Sequence, residues 1–168
     1  TLFRSILPDR KMLKRLFPAM VIGAVIGNII GIIPGAGMIM AIYLAYDQVK
    51  RRYPDLEFGT GVPEGVAAPE AANNGVVASS MVPLLSLGVP GNSTSALFLG
   101  ALMIHGMRPG PTLFIDYPDI AYFVVVAFLI GNIMMFPMGV AMCKFLSTSI
   151  LKLERKLLNG LIIILCIT

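Results

Sequence analysis

The sequence contains no tryptophan, one histidine and two cysteines, and only 13% of its 168 residues are charged. Each shortage closes off a class of protein. A soluble domain carries roughly a quarter of its residues as Asp, Glu, Lys or Arg, so this chain lacks the charge to cover a water-facing surface. Cys143 and Cys166 stand in or beside apolar stretches without a CxxC or Cys/His pattern, which argues against a disulfide framework and against a zinc site. His105 ends an apolar arm near Arg108 and has no Cys or His neighbour, so a packing or interfacial role is expected of it and no metal. There is no GxxxxGK[ST], and Gly35 and Gly37 precede no nucleotide fingerprint, so ATP is not the direct driver of whatever the chain does. Without Trp, any interfacial aromatic belt falls to Tyr43, Tyr46, Tyr53, Tyr117 and Tyr122.

What is present is apolar and arranged in blocks. Hydrophobic residues make up 57% of the chain, and the mean hydropathy is +0.84. Long blocks rather than amphipathic alternation argue for membrane spans. The net charge of +4 comes from clusters beside those blocks. They are Lys11, Lys14 and Arg15, then Lys50, Arg51 and Arg52, then Lys144, Lys152, Arg155 and Lys156. With no aromatic interleaving they do not suit nucleic acid, and cytoplasmic anchoring explains them. The expectation is an all-α, polytopic integral membrane protein forming a single transmembrane domain over residues 1–168. Thr1 to Lys14 is polar and basic and reads as no cleavable signal peptide. At the other end Leu157–Ile167 offers about eleven apolar residues where a span needs about twenty, so the chain reads as a fragment, with a truncated span from about residue 157.

Two Pro-Gly breaks carry the most information. Gly31-Ile32-Ile33-Pro34-Gly35-Ala36-Gly37 lies inside an apolar run of about residues 16–46, and Leu87-Gly88-Val89-Pro90-Gly91-Asn92-Ser93-Thr94-Ser95 inside one of about 76–104. Proline removes a donor and glycine weakens a helix, so neither run is one smooth helix. Lipid excludes irregular backbone with unpaired polar groups, so such breaks are expected where they are buried in protein or line a polar cavity, as in secondary transporters. Basic clusters at both ends of the first run favour a hairpin turning at Pro34-Gly35 over a tilted single span. Thr1 to Arg15 reads as a basic lead-in, Asp47 to Phe58 as a short cytoplasmic helix or loop, and Gly59 to Asn74 as one or two short helical turns begun at Pro63 and Pro69. A clean span follows at about 120–143, with Asp116–Asp119 outside and Lys144–Lys156 inside.

Each break places helix N–H groups, which attract anions, beside carbonyl ends, which attract cations. Asn92, Ser93, Thr94 and Ser95 add amide and hydroxyl groups at the second, a coordination set for a carboxylate and a hard cation. The plainer reading is a kink with tight small-residue packing. Glu70, Asn73 and Asn74 fall at i, i+3 and i+4 and share a helical face; ion coordination and helix capping weigh equally for the acids there, Glu64 included. Asn28 and Asn132 are expected to bond to neighbouring helices.

The runs GIIPGAGMIMAIYLAYDQVKRR, FGTGVPEGVAAPEAANN and VPLLSLGVPGNSTSALFLGALMIHGMRPGPTLF resemble the C-terminal half of the large membrane subunit of tripartite tricarboxylate transporters, the TctA family, over about Lys14 to Asn132. Gly75 stands where many relatives have alanine, and Pro90-Gly91-Asn92-Ser93-Thr94-Ser95-Ala96 where they often read PGSATTA. The resemblance implies a bacterial inner-membrane, cation-driven permease for small carboxylates, citrate-like ones among them, with sodium or a proton as coupling ion and no cofactor. An extracytoplasmic solute-binding protein and a small membrane subunit would be its partners. The matching motif positions are Gly31, Pro34, Gly35 and Gly37, then Pro69, Glu70, Asn73 and Asn74, then Gly88, Pro90, Gly91, Ser93 and Thr94. The alternatives are a membrane-embedded enzyme using Glu64 or Glu70 as acid and base, for which no nucleophile or metal partner is spaced, and a non-transporting scaffold subunit.

Overall fold

A computed structural model describes residues 8–150. Among these the secondary structure is entirely helical: α1 (Arg10–Ile32), α2 (Gly37–Arg52), α3 (Glu64–Ser79), α4 (Met81–Leu87), α5 (Ser93–Ile104), α6 (Leu113–Asp116) and α7 (Pro118–Ile150). Asp9–Val126 form one compact unit, and the described residues from Ala127 onward belong to a second. The short span expected from about residue 157, Lys152, Arg155 and Lys156 of the third basic cluster, and Cys166 lie outside the described residues.

Helices α1, α2 and α3 form the core of the first unit. Ala19 near the start of α1 packs with Val49 near the end of α2 and with Ala68 early in α3. Ile26 and Ile30 later in α1 meet Ala41 and Ala45 early in α2, and Ala72 and Val76 late in α3. Thus α2 runs antiparallel to α1, and α3 runs parallel to it. The chain reverses through Ile33–Ala36 into α2, with Gly35 in the turn and Gly37 at the helix start adopting φ of +77° and +74°, values open to glycine and costly for other residues.

Small residues set how close these helices come. Along α1 the buried face is Leu16, Ala19, Gly23, Gly27 and Gly31, one residue per turn. Opposite it on α3 stand Ala68, Ala72, Val76 and Ser79. A methyl group added at Gly23 would meet the Ala68 carbonyl, one at Gly27 the Ala72 carbonyl, and one at Gly31 the Ser79 hydroxyl and the Val76 backbone. The two backbones are therefore in direct contact, a close packing that small residues permit and that is common between membrane helices.

Two expectations need correction. The basic lead-in does not extend to Arg15, because Asp9 accepts the Arg10 N–H and starts α1 there. Residues 59–74 are not one or two isolated turns: Glu64 opens a 16-residue helix that carries Pro69 within it. Pro69 sacrifices one backbone hydrogen bond, and the contacts along α1 and α2 outweigh that loss. The short α3–α4 junction at Ser80 has its cause in Pro83, which cannot donate to the Ser79 carbonyl four residues earlier and so breaks the ladder there.

α1 and the stretch Pro118–Leu146 are the two helices long and apolar enough to cross a membrane among the described residues. Past Val126, α7 exposes Leu129, Ile133, Phe136 and Phe145. Asn132 does not reach across to another helix: its Nδ2 donates to the Phe128 carbonyl of its own helix at 2.9 Å.

Candidate functional site

The two Pro-Gly breaks, far apart in sequence, share one open pocket of about 460 Å³ lined by Gly35, Ala36, Gly37, Met38, Ile39, Pro90, Gly91, Asn92, Ser93 and Ala96. The junction is close. A methyl group at Gly91 would lie 3.0 Å from the Ser80 Cβ and 3.2 Å from the Gly31 carbonyl oxygen, so the second break rests closely on the end of α1.

The N-termini of α2 and α5 both border this pocket. Ala36, which precedes α2, provides no side-chain cap. At α5 the cap is complete: Asn92 Oδ1 accepts the Ser95 N–H and Ser95 Oγ accepts the Asn92 N–H, both at 2.9 Å. The Ala96 N–H goes to the Asn92 carbonyl at 3.0 Å. The N–H groups of Ser93 and Thr94 have no acceptor among the described residues. Two helix ends thus bring partial positive charge to one place, which favours an anion over a cation.

The expected site residues divide. Gly35, Gly37, Pro90, Gly91, Asn92 and Ser93 line the pocket. Pro34 forms the adjoining turn, Gly31 supports Gly91, and Thr94 is exposed one residue further along α5. Gly88, at φ +72°, instead ends α4 by donating to the Leu84 carbonyl at 2.9 Å, while Val89 donates to Pro83 at 3.3 Å. These bonds occupy carbonyls that the cation half of the expected coordination set would draw on. Asn92 Oδ1 and Ser95 Oγ make the capping bonds of α5, so the free donors at this break are the Ser93 and Thr94 N–H groups.

Glu70, Asn73 and Asn74 lie outside the pocket lining. Glu70 and Asn74 are exposed, and Asn74 Nδ2 donates to the Glu70 carbonyl at 3.2 Å. Asn73 turns inward, with its amide oxygen buried and without a hydrogen-bond partner among the described residues. Glu64 is 1% exposed and pairs with Arg15, whose side chain is 57% exposed. The guanidinium is bidentate: Nε donates to Oε1, and Nη2 donates to Oε2 at 3.2 Å. This engagement leaves Glu64 poorly placed for the acid–base role of the enzymatic alternative. Ser80 and Arg15 both act through partners distant in the chain, which no local sequence pattern announces.

The described residues are all helical, two of their helices are long and apolar enough to cross a membrane, and the N-termini of α2 and α5 border one pocket. The chain belongs to the tripartite tricarboxylate transporter TctA family, whose model matches residues 1–168. That family supplies a membrane component of tripartite systems that also use a binding protein and a small membrane subunit. The chain is 36% identical over 124 residues, 73% of its length, to an uncharacterized 52.8 kDa protein in the TAR-I ttuC' 3'region of Agrobacterium vitis. Over 110 residues, 65% of its length, it is also 36% identical to an uncharacterized protein in the TAR-II ttuC' 3'region of the same organism. The matches cover 24% and 46% of those relatives, so the chain spans less than half the length of either. No solved structure is detectably similar to it.

Proposed function

We propose that this chain is part of the permease subunit of a binding-protein-dependent secondary transporter in the bacterial inner membrane, taking up small organic carboxylates. The convergence of α2 and α5 N-termini on one pocket carries this reading. A carboxylate there would accept hydrogen bonds from the Ser93 and Thr94 N–H groups and from the Ser93 hydroxyl, with Met38, Ile39 and Ala96 against its carbon skeleton. No cationic side chain lines the pocket, so a coupling ion, sodium or a proton, would supply the charge balance that lets substrate both bind and leave. An extracytoplasmic binding protein would deliver the substrate, and movement of one helix bundle against another would alternate access.

Uptake into proteoliposomes holding the whole complex tests this with labelled citrate, malate and succinate, with and without a sodium gradient. Ser93→Ala should raise the KM of the accumulated carboxylate about tenfold, because a hydrogen bond to a charged group contributes about 1.5–3 kcal/mol. Thr94→Ala should have a smaller effect, since Thr94 stands outside the lining. Unchanged KM in both variants at matched protein content would remove the substrate from this pocket.

The same reading fixes sidedness. The Lys11–Arg15 and Lys50–Arg52 clusters lie at one end of the α1–α2 hairpin, which would be cytoplasmic. With Cys143 and Cys166 replaced, single cysteines near Arg51 and Lys152 should react only from the cytoplasm and one near Asp116 only from outside. Reaction of the Arg51 position from outside would invert the hairpin.

A further inference from the structure

Ser80 is completely buried at the α3–α4 junction and does not line the pocket. Its hydroxyl donates to the Val77 carbonyl at 2.9 Å and accepts from Asn92 Nδ2 at 2.9 Å. Asn92 therefore has two separable functions. Its oxygen caps α5 through the Ser95 N–H, a task that serine or aspartate performs as well. Its nitrogen ties the second break to α3, and that bond needs a donor as long as an amide.

The position of this bond gives it a consequence. Gly91, the residue before Asn92, rests against both Ser80 and the Gly31 carbonyl. Gly91, Asn92 and Ser93 then face Gly35–Ile39 across the pocket. If the Asn92 loop slips from Ser80, the Ser93 and Thr94 N–H groups move relative to the N-terminus of α2. A bound anion spanning the two helix ends is sensitive to such a shift, because hydrogen bonds weaken steeply with misalignment.

We propose that Ser80 is a positioning residue for the pocket, and that the Ser80–Asn92 hydrogen bond holds the N-terminus of α5 in register with that of α2. The inference rests on the reading of the pocket as a carboxylate site. Ser80 never touches the substrate; it acts through Asn92.

The variants separate the tether from the cap. Ser80→Ala removes the tether and keeps the cap. Asn92→Ser keeps a capping oxygen but is too short to reach Ser80. Both are measured in the full complex in proteoliposomes, with the carboxylate that the unaltered complex accumulates from the citrate, malate and succinate panel. Each should raise KM by about two- to tenfold, the loss of one neutral hydrogen bond, with Vmax per folded transporter changed less than twofold. The double variant should be no worse than the more impaired single one, because the tether can be lost only once. If Ser80→Ala fails to accumulate, Ser80→Cys, which keeps the shape and weakens the acceptor, takes its place beside Asn92→Ser.

Ser93→Ala, run in parallel, distinguishes the failures. A raised KM in Ser93→Ala with unchanged KM in Asn92→Ser and Ser80→Ala overturns the tether and leaves the carboxylate site standing. Unchanged KM in all three overturns the carboxylate site, and the tether with it. Additive increases in the double variant overturn the tether as well, because they mean that the two side chains act independently.

Discussion

Gly27→Leu should yield no folded, monodisperse protein, whereas Gly131→Ala should leave folding intact. At Gly27 even a single methyl group would meet the Ala72 carbonyl, and 2.8 Å separates it from the Ala72 Cα. Backbone cannot rotate aside as a flexible side chain can, so α1 and α3 must separate along their length. Ordinary overpacking costs about 1–3 kcal/mol; separating a seam of backbone contacts lies at or beyond the upper end, a large share of a typical stability of about 5–15 kcal/mol. Gly131 has nothing within 4 Å of an added methyl group, and helix propensity there favours alanine by up to ~1 kcal/mol. The comparison is by detergent-solubilised thermostability, followed as the monodisperse fraction surviving a temperature series. Equal survival of the two variants would mean that α1 and α3 are not packed backbone to backbone.

Arg15→Ala should destabilise the protein far more than loss of a surface charge does. Exposed pairs such as Arg51–Asp47, at 2.7 Å with both side chains half-exposed or more, contribute about 0–1 kcal/mol. Arg15 instead answers a buried carboxylate, and its removal strands the charge of Glu64 between the start of α3 and α1. Breaking a fully buried pair costs about 3–5 kcal/mol. Because Arg15 itself is more than half exposed, about 1–3 kcal/mol is the expected scale here. Glu64→Gln in the Arg15→Ala background should recover most of the loss, since a neutral amide is cheaper to bury than an unpaired carboxylate. Thermostability of the two single variants and the double one forms the cycle. Failure of Glu64→Gln to improve on Arg15→Ala would mean that Arg15 acts by packing rather than by neutralising Glu64.

Much of this arrangement stands in the sequence in local form. Proline and glycine act on their own turn, so Pro34-Gly35 and Pro90-Gly91 announce where helices stop without any knowledge of tertiary neighbours. The basic clusters similarly mark the end of the hairpin at which α1 starts and α2 finishes. The helix Glu64–Ser79 is less legible because Pro69 weighs against it locally, whereas the packing that favours it lies on α1 and α2. Its signal was nonetheless present as spacing: Ala19, Gly23, Gly27 and Gly31 recur every four residues, as do Ala41, Ala45 and Val49, and Ala68, Ala72 and Val76. Read together, three such stripes specify three helices that meet face to face. Ser80 and Asn92 cannot be paired from their spacing, because the separate helix α4 and a left-handed Gly88 intervene. The bond of Asn132 within its own helix has a simpler cause: an amide on a helix can satisfy itself on the carbonyl one turn back.

The seam between α1 and α3 also bears on what ordering these helices costs. Glycine and alanine have no side-chain rotamers to lose, whereas a buried leucine or isoleucine gives up roughly 0.5–1 kcal/mol of such freedom. Docking Ala19, Gly23, Gly27 and Gly31 on Ala68 and Ala72 therefore freezes almost nothing beyond the helices themselves. The association is correspondingly insensitive to side-chain entropy, and warming should loosen the leucine- and methionine-lined contacts of α4 and α5 before it loosens this seam.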